Sequence, residues 1–499
     1  MKGMKKMGSI NKKPILLVLM SLLLMLALVG CASSQAKEKE PMNTGLDPKE
    51  WNSYAFKDKF PLHWESFMKN MVDEKEVKPK NDPSIEPYLP ILWNGFGFAV
   101  EYNLTRGHTY AFEDQMEVRR ITMNPNAISA CMSCKTTLFP QMIEEFGYDN
   151  AFKLNYHEEA MPWIDKMTEA DKGGELGNYG HASVGCSTCH DPVTMDLRIS
   201  MPQLTLSLEN MDPEVMKKQL GFTLDTITQH DMRSLVCAQC HVEYYFDPAN
   251  DRHTTFPWTQ GVRMDNMWDH YEEIWEVEGQ FQGEYVSRLT NQPILKAQHP
   301  EYELWSYGPH QTVSCSDCHM PYQRVDGKKK ISSHRWGSPL KTVEESCRTC
   351  HADKSQAYLK DRVKDIQTTH KSALLEAQEI SVQATYYVNR MMTRELDPAK
   401  IKEAQYLLRE GQWFWDIIAA ENSKGFHNPQ GAMDSFRRSI TASSRAIELA
   451  TIELMKAGEN IEELKQQIEI TKQNVINETV NHEKHKQAIN EWFPNHRGD

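Results

Sequence analysis

The clearest pattern of apolar and polar positions lies after residue 355, where the chain is rich in Ala, Glu, Lys, Gln and Leu and poor in Gly and Pro. Within it, residues 399–415 and 440–454 place apolar side chains three and four positions apart, the spacing of an amphipathic helix. Asp397-Pro398 and Asn428-Pro429 are typical helix starts, since each puts a capping side chain before a proline. The pattern therefore predicts four long helices, over 355–395, 398–422, 430–457 and 460–490.

Residues 45–355 show a different pattern, because Gly and Pro interrupt the chain often and long periodic runs are few. The mean hydropathy of −0.62 is low for a chain of 499 residues. We infer that something other than aliphatic side chains fills part of the interior.

The N-terminal 30 residues form a separate segment. Residues 1–14 carry five lysines and no acidic residue, and an apolar run follows from Ile15 to Val29, interrupted only by Ser21. This run is shorter than the roughly 20 residues of a membrane-spanning helix and is typical of a signal peptide. It ends in Leu28-Val29-Gly30-Cys31, which resembles the lipobox of bacterial lipoproteins and predicts a leader over 1–30, lipid on Cys31 and a tether over 31–44. The alternative is an uncleaved anchor helix with an incidental cysteine, and in both cases the rest of the chain lies outside the cytoplasm.

The charge balance excludes one class of partner. The chain has 56 basic and 69 acidic residues, which gives a formal net charge of −13. Nucleic-acid binding generally requires a basic surface, so we expect no nucleic-acid partner.

The spacing of the cysteines carries the strongest chemical signal. Apart from Cys31, every one of the 11 cysteines falls in a Cys-x-x-Cys pair. The pairs are Cys131/Cys134, Cys186/Cys189, Cys237/Cys240, Cys315/Cys318 and Cys347/Cys350. Zinc sites, thiol redox motifs and c-type haem attachment all use this spacing.

The residue after each pair decides between these chemistries. Four pairs are followed at once by a histidine, namely His190, His241, His319 and His351. A zinc site has no need of a histidine at that position, whereas c-type haem needs two thioethers and an adjacent imidazole that reaches the iron. The sequence therefore predicts covalently attached haems.

The fifth pair, Cys131/Cys134, is followed by Lys135. One interpretation is a thiol pair or a degenerate site that has lost its haem. The other is a fifth haem whose iron binds Lys135 as a neutral amine, a form that burial and metal binding favour. Axial ligand identity is a main control over haem reactivity, so this haem would do chemistry while the other four carry electrons.

With these motifs the sequence resembles the pentahaem cytochrome c nitrite reductases, the ammonia-forming enzymes. The resemblance runs from about Gly45 to the C-terminus. It rests on Cys-x-x-Cys-Lys preceding four Cys-x-x-Cys-His motifs, on residues 240–246 (CHVEYYF) and on residues 296–300 (KAQHP).

The resemblance implies an open face on the lysine-ligated haem, with an arginine, a tyrosine and a histidine above it. These correspond to Arg120, Tyr244 and His299, and Arg119 is the alternative to Arg120. A cationic arginine and a protonatable histidine suit an anionic substrate, and a histidine can pass protons at neutral pH. Taken singly, such residues are more often packing or surface residues.

The resemblance also implies one calcium ion beside the active haem. Its ligands are the Glu243 carboxylate, the backbone carbonyls of Tyr244 and Lys296, and the side-chain oxygen of Gln298. An all-oxygen shell suits this hard cation.

The second ligands of the four histidine-ligated haems also come from the resemblance. His334 is expected to serve the Cys186 haem, His108 the Cys237 haem, His427 the Cys315 haem and His310 the Cys347 haem. The alternative for each is a solvent-exposed or capping histidine.

The expected fold is mainly α with little β. It has a catalytic region over 45–355, with five covalently attached haems packed in the core, and a helical region over 356–499 that packs on the haem core and forms a dimer interface. The expected function is reduction of nitrite to ammonium outside the cytoplasm, with electrons from a membrane-bound multihaem quinol dehydrogenase. Two alternatives stay open, a non-catalytic multihaem electron carrier and a reductase of another small substrate such as hydroxylamine or sulfite.

Overall fold

Helices predominate in the computed structural model, which describes residues 42–71, 78–79, 86–99, 101–104 and 106–480. The prediction of a mainly α protein with little β is confirmed. The predicted leader, Cys31 and the end of the fourth predicted helix lie outside the described residues. Within those residues, no helix is both long and apolar enough to cross a membrane.

The helices are numbered here in chain order. They are α1 Pro61–Met68, α2 Leu89–Leu92, α3 Ala111–Glu117, α4 Arg119–Thr122, α5 Phe139–Phe146, α6 Tyr148–Lys153, α7 Met161–Thr168, α8 Cys186–Cys189, α9 Pro202–Glu209, α10 Pro213–Leu220, α11 Gln229–Ala238, α12 Met264–Glu273, α13 Glu301–Ser306, α14 Cys315–His319, α15 Gln356–Thr393, α16 Pro398–Ala420, α17 Pro429–Lys456 and α18 Ile461–Val480.

The strands of the described residues form antiparallel two-stranded hairpins or bridges. They are β1 Lys78–Pro79 with β2 Asn103–Leu104, β3 Tyr245–Asp247 with β4 His253–Thr255, β5 Tyr285–Val286 with β6 Pro293–Ile294, and β7 Tyr322–Val325 with β8 Lys329–Ser332. Each is too short to give an alternating signal in the sequence, and the analysis above predicted none of them individually.

The predicted helix starts in the C-terminal region are confirmed. The Asp397 carboxylate accepts the Ala399 N–H at 2.9 Å, and the Asn428 side-chain oxygen accepts the Gly431 N–H at 2.9 Å. Both side chains satisfy amides that the first turn of a helix leaves without a partner. The helices therefore begin at the prolines 398 and 429, as the sequence predicts.

The C-terminal helices share their apolar faces with the rest of the molecule. One buried cluster lies among the helices themselves and includes Tyr387, Leu408 and Ala446. Further along α16, Trp413 and Trp415 are buried in the same cluster as Leu235 and Trp258 of the cysteine-rich region. Helix α16 therefore joins the helical region to the part of the chain that carries the Cys-x-x-Cys motifs.

Three of the long helices approach one another closely at Gly411. A Cβ atom added there would lie 2.2 Å from Ser443 Oγ and 3.2 Å from the Ser439 carbonyl oxygen. The Ser443 hydroxyl is itself hydrogen-bonded to Ser381 Oγ at 3.0 Å, and Ser439 Oγ donates to the Gly411 carbonyl at 2.6 Å. A glycine is therefore required for the contact of α15, α16 and α17.

We expect Gly411→Val to lower the free energy of unfolding by about 1–3 kcal/mol, because the added methyl groups force the packed helices apart. Chemical denaturation followed by far-UV circular dichroism measures the change. Ala399→Val adds the same β-branched side chain at an exposed position of α16 and serves as the control. Equal stability of the two variants would contradict the close approach.

Candidate haem-binding and active site

The Cys-x-x-Cys-His motifs form short turns that bring the histidine back over its cysteine pair. The amide of the histidine donates to the carbonyl of the first cysteine at 2.9–3.0 Å in three motifs, those of His190, His241 and His351. In the fourth, Cys315–His319 is itself the short helix α14. None of the ten described cysteines forms a disulfide with another described cysteine, so both sulfur atoms of every pair can serve as attachment points.

The Cys347/Cys350 motif differs from the other four in its surroundings. Cys350 is exposed, whereas the other nine described cysteines are partly enclosed. The cause is local, because residues 349–358 are all exposed as the chain leaves the cysteine-rich region and enters α15. Cys350 therefore lies at the edge of the cysteine-rich region. Its thiol still stands one helical turn from Cys347, with the Cys350 amide donating to the Cys347 carbonyl at 3.2 Å.

Each of the four histidines faces a second histidine from a distant part of the chain. The Nε2 atoms of His241 and His108 are 3.4 Å apart, and their rings are 5.6 Å apart. The other ring pairs lie at 6.2, 6.3 and 6.4 Å, and they are His190 with His334, His319 with His427, and His351 with His310. The structure thus brings together the same four pairs that the sequence analysis expects.

The electrostatics of these histidines suit metal binding. Burial lowers the pKa of His108 to about 3 and the pKa values of His319 and His334 to about 4. These three rings are therefore neutral at physiological pH, and a neutral imidazole is the form that binds iron. Thiol pairs beside facing neutral imidazoles are the donor set that c-type haem requires, so the residues fit this group.

The Nδ1 atoms fix the orientation of several rings. Those of His190, His319 and His334 lie 2.8, 2.9 and 3.0 Å from the backbone carbonyls of Met195, Gly337 and Ser332. A carbonyl acceptor holds the proton on Nδ1 and leaves the Nε2 lone pair for a metal.

Two other ligand candidates have carboxylates at Nδ1. Glu421 Oε1 lies 2.7 Å from His427 Nδ1, and Glu301 Oε2 lies 3.5 Å from His241 Nδ1. Burial by itself lowers the pKa of His427, but the Glu421 carboxylate raises it to about 9.

Thiols of different motifs also lie against one another. Cys240 lies close enough to Cys134 to lower the pKa of that thiol, and Cys237 lowers the pKa of Cys315 in the same way. The Cys131, Cys237 and Cys315 motifs are therefore consecutive neighbours in space. Such adjacency suits the passage of electrons from one site to the next.

The Lys135 motif has a different backbone conformation. Residues 129–134 form a 3₁₀-helix, and the Lys135 amide donates to Met132 rather than to the first cysteine. Ser133 Oγ lies 3.3 Å from Thr254 Oγ1, so strand β4 supports the turn. Lys135 is close enough to Cys134 to lower the pKa of that thiol further, although the larger effect comes from Cys240.

Arg120 lies beside this motif on the short helix α4. Its guanidinium stacks over the Phe98 ring at 4.2 Å, and its Nη1 atom is buried without a hydrogen-bond partner among the described residues. Burial lowers the pKa of Arg120, and the nearby Cys131 and Tyr244 act in the opposite direction. Of the two adjacent arginines, Arg120 is therefore the one next to the Cys131 site.

Tyr244 and His299 are brought towards each other by the residues next to them. The Gln298 amide donates to Glu243 Oε2 at 2.6 Å, and the Tyr302 amide donates to the His241 carbonyl at 3.0 Å. Burial raises the pKa of Tyr244 well above its usual range, with Cys131 and Cys134 adding to the effect. The hydroxyl of Tyr244 is therefore protonated and able to donate a hydrogen bond.

The expected calcium ligands also lie together. Glu243 is 1% exposed, and the Gln298 side chain donates to the Lys296 carbonyl at 2.9 Å. A second carboxylate, that of the half-buried Glu284, lies near Gln298, and burial raises its pKa to about 8. Burial also raises the pKa of Glu243 well above its usual range. Two enclosed carboxylates among amide oxygens fit a hard cation, because a divalent charge offsets the cost of enclosing them.

Several of these residues gave no signal in the sequence. Glu421 and Glu284 are separated from any motif, and nothing in their spacing identifies them as partners of site residues. Glu301 stands next to the His299-Pro300 pair, which is the one local cue that the sequence offers.

Comparisons with known proteins agree with this arrangement. A profile of the Cytochrome c552 family matches residues 48–496. The cytochrome c nitrite reductase subunit NrfA of Nitratidesulfovibrio vulgaris (strain Hildenborough) is 37% identical over 461 residues, which cover 84% of this chain and 82% of the relative. Cytochrome c-552 of Bacteroides thetaiotaomicron is 32% identical over 394 residues, covering 76% of this chain and 73% of the relative.

A solved structure matches over a similar extent. The cytochrome c nitrite reductase of Desulfovibrio desulfuricans, whose catalytic subunit has two calcium sites, aligns with a TM-score of 0.70 and 35% identity, covering 84% of this chain and 91% of that chain. The likeness of sequence and the likeness of structure thus extend over most of the chain, and we conclude that it belongs to the Cytochrome c552 family.

Proposed function

We propose that this protein is the catalytic subunit of a cytochrome c nitrite reductase that forms ammonium. The observation that carries the proposal is the contrast between the sites. Four Cys-x-x-Cys motifs face a histidine, whereas the Cys131 motif has Arg120 and Tyr244 beside it. A site without a facing imidazole has room for a substrate.

The overall reaction is NO2⁻ + 6e⁻ + 8H⁺ → NH4⁺ + 2H2O. A haem attached through Cys131 and Cys134, with Lys135 as its iron ligand, would supply the redox chemistry of this reaction. The protein must provide an anion site, proton donors and a route for six electrons.

Arg120 provides the positive charge for the anion. Its buried Nη1 atom lacks a partner in the described residues, and a buried donor in this state gains most from an anionic acceptor. The protonated hydroxyl of Tyr244 donates to a bound oxygen atom, and His299 passes protons at neutral pH.

The other four motifs form the electron route. Each would hold a haem with a pair of histidines as its iron ligands, namely His190 with His334, His241 with His108, His319 with His427, and His351 with His310. A haem with two histidine ligands would serve electron transfer. With the haem at Lys135 this makes five c-type haems.

Calcium is the second cofactor of the proposal. Glu243, Gln298 and the carbonyls of Tyr244 and Lys296 would hold the ion, with Glu284 as a further nearby carboxylate. Two of these residues, Glu243 and Gln298, stand next to Tyr244 and His299 in the chain, so a bound cation would help to keep both side chains in place.

The family acts outside the cytoplasm, and lipid on Cys31 would keep the enzyme at the membrane, close to a multihaem quinol dehydrogenase that donates electrons. Homodimer formation through the C-terminal helices is supported by exposed apolar side chains there. These are Met433, Ile452, Met455 and Ile470.

Ammonium yield tests the proposal directly. With the purified protein and a reduced viologen donor, we expect about one ammonium per nitrite consumed, as the equation requires. Hydroxylamine and sulfite are assayed in parallel, and the haem content per chain is measured on the same sample. Negligible nitrite turnover by a protein with five haems would favour an electron carrier, or a reductase of another substrate.

Lys135→His tests the division of labour between the sites. We expect the haem to be retained and nitrite turnover to fall by about tenfold or more, since axial identity controls haem reactivity. The haem content and the electronic absorption spectrum check retention. Lys217→His, at an exposed lysine, is the control, and unchanged turnover in Lys135→His would contradict the proposed mechanism.

His299→Asn tests proton delivery. We expect kcat to fall on the order of 10²-fold or more with the haem spectrum intact, because general acid–base groups contribute factors of that size. His230→Asn changes an exposed histidine in the same way and should have wild-type kcat. A kcat for His299→Asn within a few-fold of wild type would remove His299 from the mechanism.

A further inference from the structure

The histidines proposed as haem ligands differ in what lies at their Nδ1 atoms. For His190, His319 and His334 the neighbour is a neutral backbone carbonyl at 2.8–3.0 Å. For His427 it is the Glu421 carboxylate, with Oε1 at 2.7 Å. The site of the Cys315 motif therefore has an anionic group against one axial ligand.

Glu421 is held in place by the loop that leads to His427. Its Oε1 atom accepts the Ser423 amide at 3.0 Å, and its Oε2 atom accepts the Ser423 hydroxyl at 2.6 Å and the Gly425 amide at 3.3 Å. Ser423 Oγ in turn accepts the His427 amide at 2.8 Å. The carboxylate and the imidazole are thus fixed relative to each other by the same short loop.

Burial makes this charge effective. Glu421 is 1% exposed, and its side chain is fully enclosed. The ring N–H is not aligned with the oxygen as in an ideal hydrogen bond, so the contact acts mainly through charge. A charge in an enclosed site interacts more strongly than one in water, and salt screens it little.

An anionic neighbour changes what an imidazole ligand does to iron. It makes the ring a better electron donor, and that stabilises the oxidised metal over the reduced one. A neutral carbonyl does this much less.

We propose that Glu421 acts through His427 to lower the reduction potential of the Cys315 haem. The reference for this change is the potential that the haem would have with a neutral carbonyl at His427 Nδ1. The inference rests on the proposed function, because it requires His427 to bind the iron of that haem. The Cys315 motif lies next to the Cys237 motif, so the effect falls within the electron route rather than at the substrate site.

The test is a potentiometric titration of the full holoprotein, with each haem followed by its optical and electron paramagnetic resonance signals. Glu421→Gln keeps the size and the acceptor oxygen of the side chain and removes the charge. We expect one haem to become easier to reduce, with its ratio of reduced to oxidised form raised about tenfold at fixed potential, equal to about 59 mV for a one-electron couple. The other four haems should not change.

Three further variants make the result specific. Glu421→Asp keeps the charge and should keep that haem close to its wild-type potential. If Glu421 acted only through the length of its side chain, this variant would change the potential as well. Glu376→Gln removes an exposed carboxylate and should change nothing. His427→Met should alter the axial-ligand signature of the same haem that Glu421→Gln shifts.

The outcomes separate the two proposals. If His427→Met perturbs one haem but Glu421→Gln leaves its potential unchanged, the inference is wrong while the ligand assignment stands. If His427→Met leaves every haem signature unchanged, the assignment of His427 fails and the inference fails with it. A uniform shift of all five haems in Glu421→Gln would also overturn it.

Discussion

The structure depends on a constraint imposed by the turn after each cysteine pair. In three of the motifs the amide of the fifth residue donates to the carbonyl of the first, so the histidine is held close to its cysteine pair. To present Nε2 to a metal, a histidine there has to be neutral and oriented through Nδ1. For His190 and His319 the surrounding chain provides both, through the carbonyls of Met195 and Gly337 and through an enclosure that lowers the pKa values of the two rings.

The long helices also take part in the candidate haem sites. His427 stands immediately before α17, and Glu421 immediately after α16, so the loop between two packed helices supplies both a ligand candidate and the charge beside it. The close contact at Gly411 fixes the positions of α16 and α17 relative to each other. The apolar packing of the C-terminal region therefore determines the position of His427, a candidate iron ligand.

Sequence reasoning succeeded where a physical rule acts locally. Helical spacing and capping side chains predicted α16 and α17 closely, and the facing histidines were expected from the family resemblance. It could not find Glu421, because a carboxylate six positions from a histidine in a non-helical loop has no periodicity. The short hairpins were missed because two to four residues carry too little alternation.

The charges of the molecule act on different length scales. The net charge of −13 opposes the approach of an anion, but that field is screened over about 10 Å at 0.1 M salt. Inside the site, Arg120 is enclosed against an aromatic ring and its Nη1 has no partner among the described residues, so an anion there interacts with it at low dielectric. Without an anion, the Nη1 atom of the buried guanidinium has no partner among the described residues, which costs free energy. In the proposed function, the affinity for a small anion therefore comes from one enclosed guanidinium, and the acidity of the surface has little influence on it.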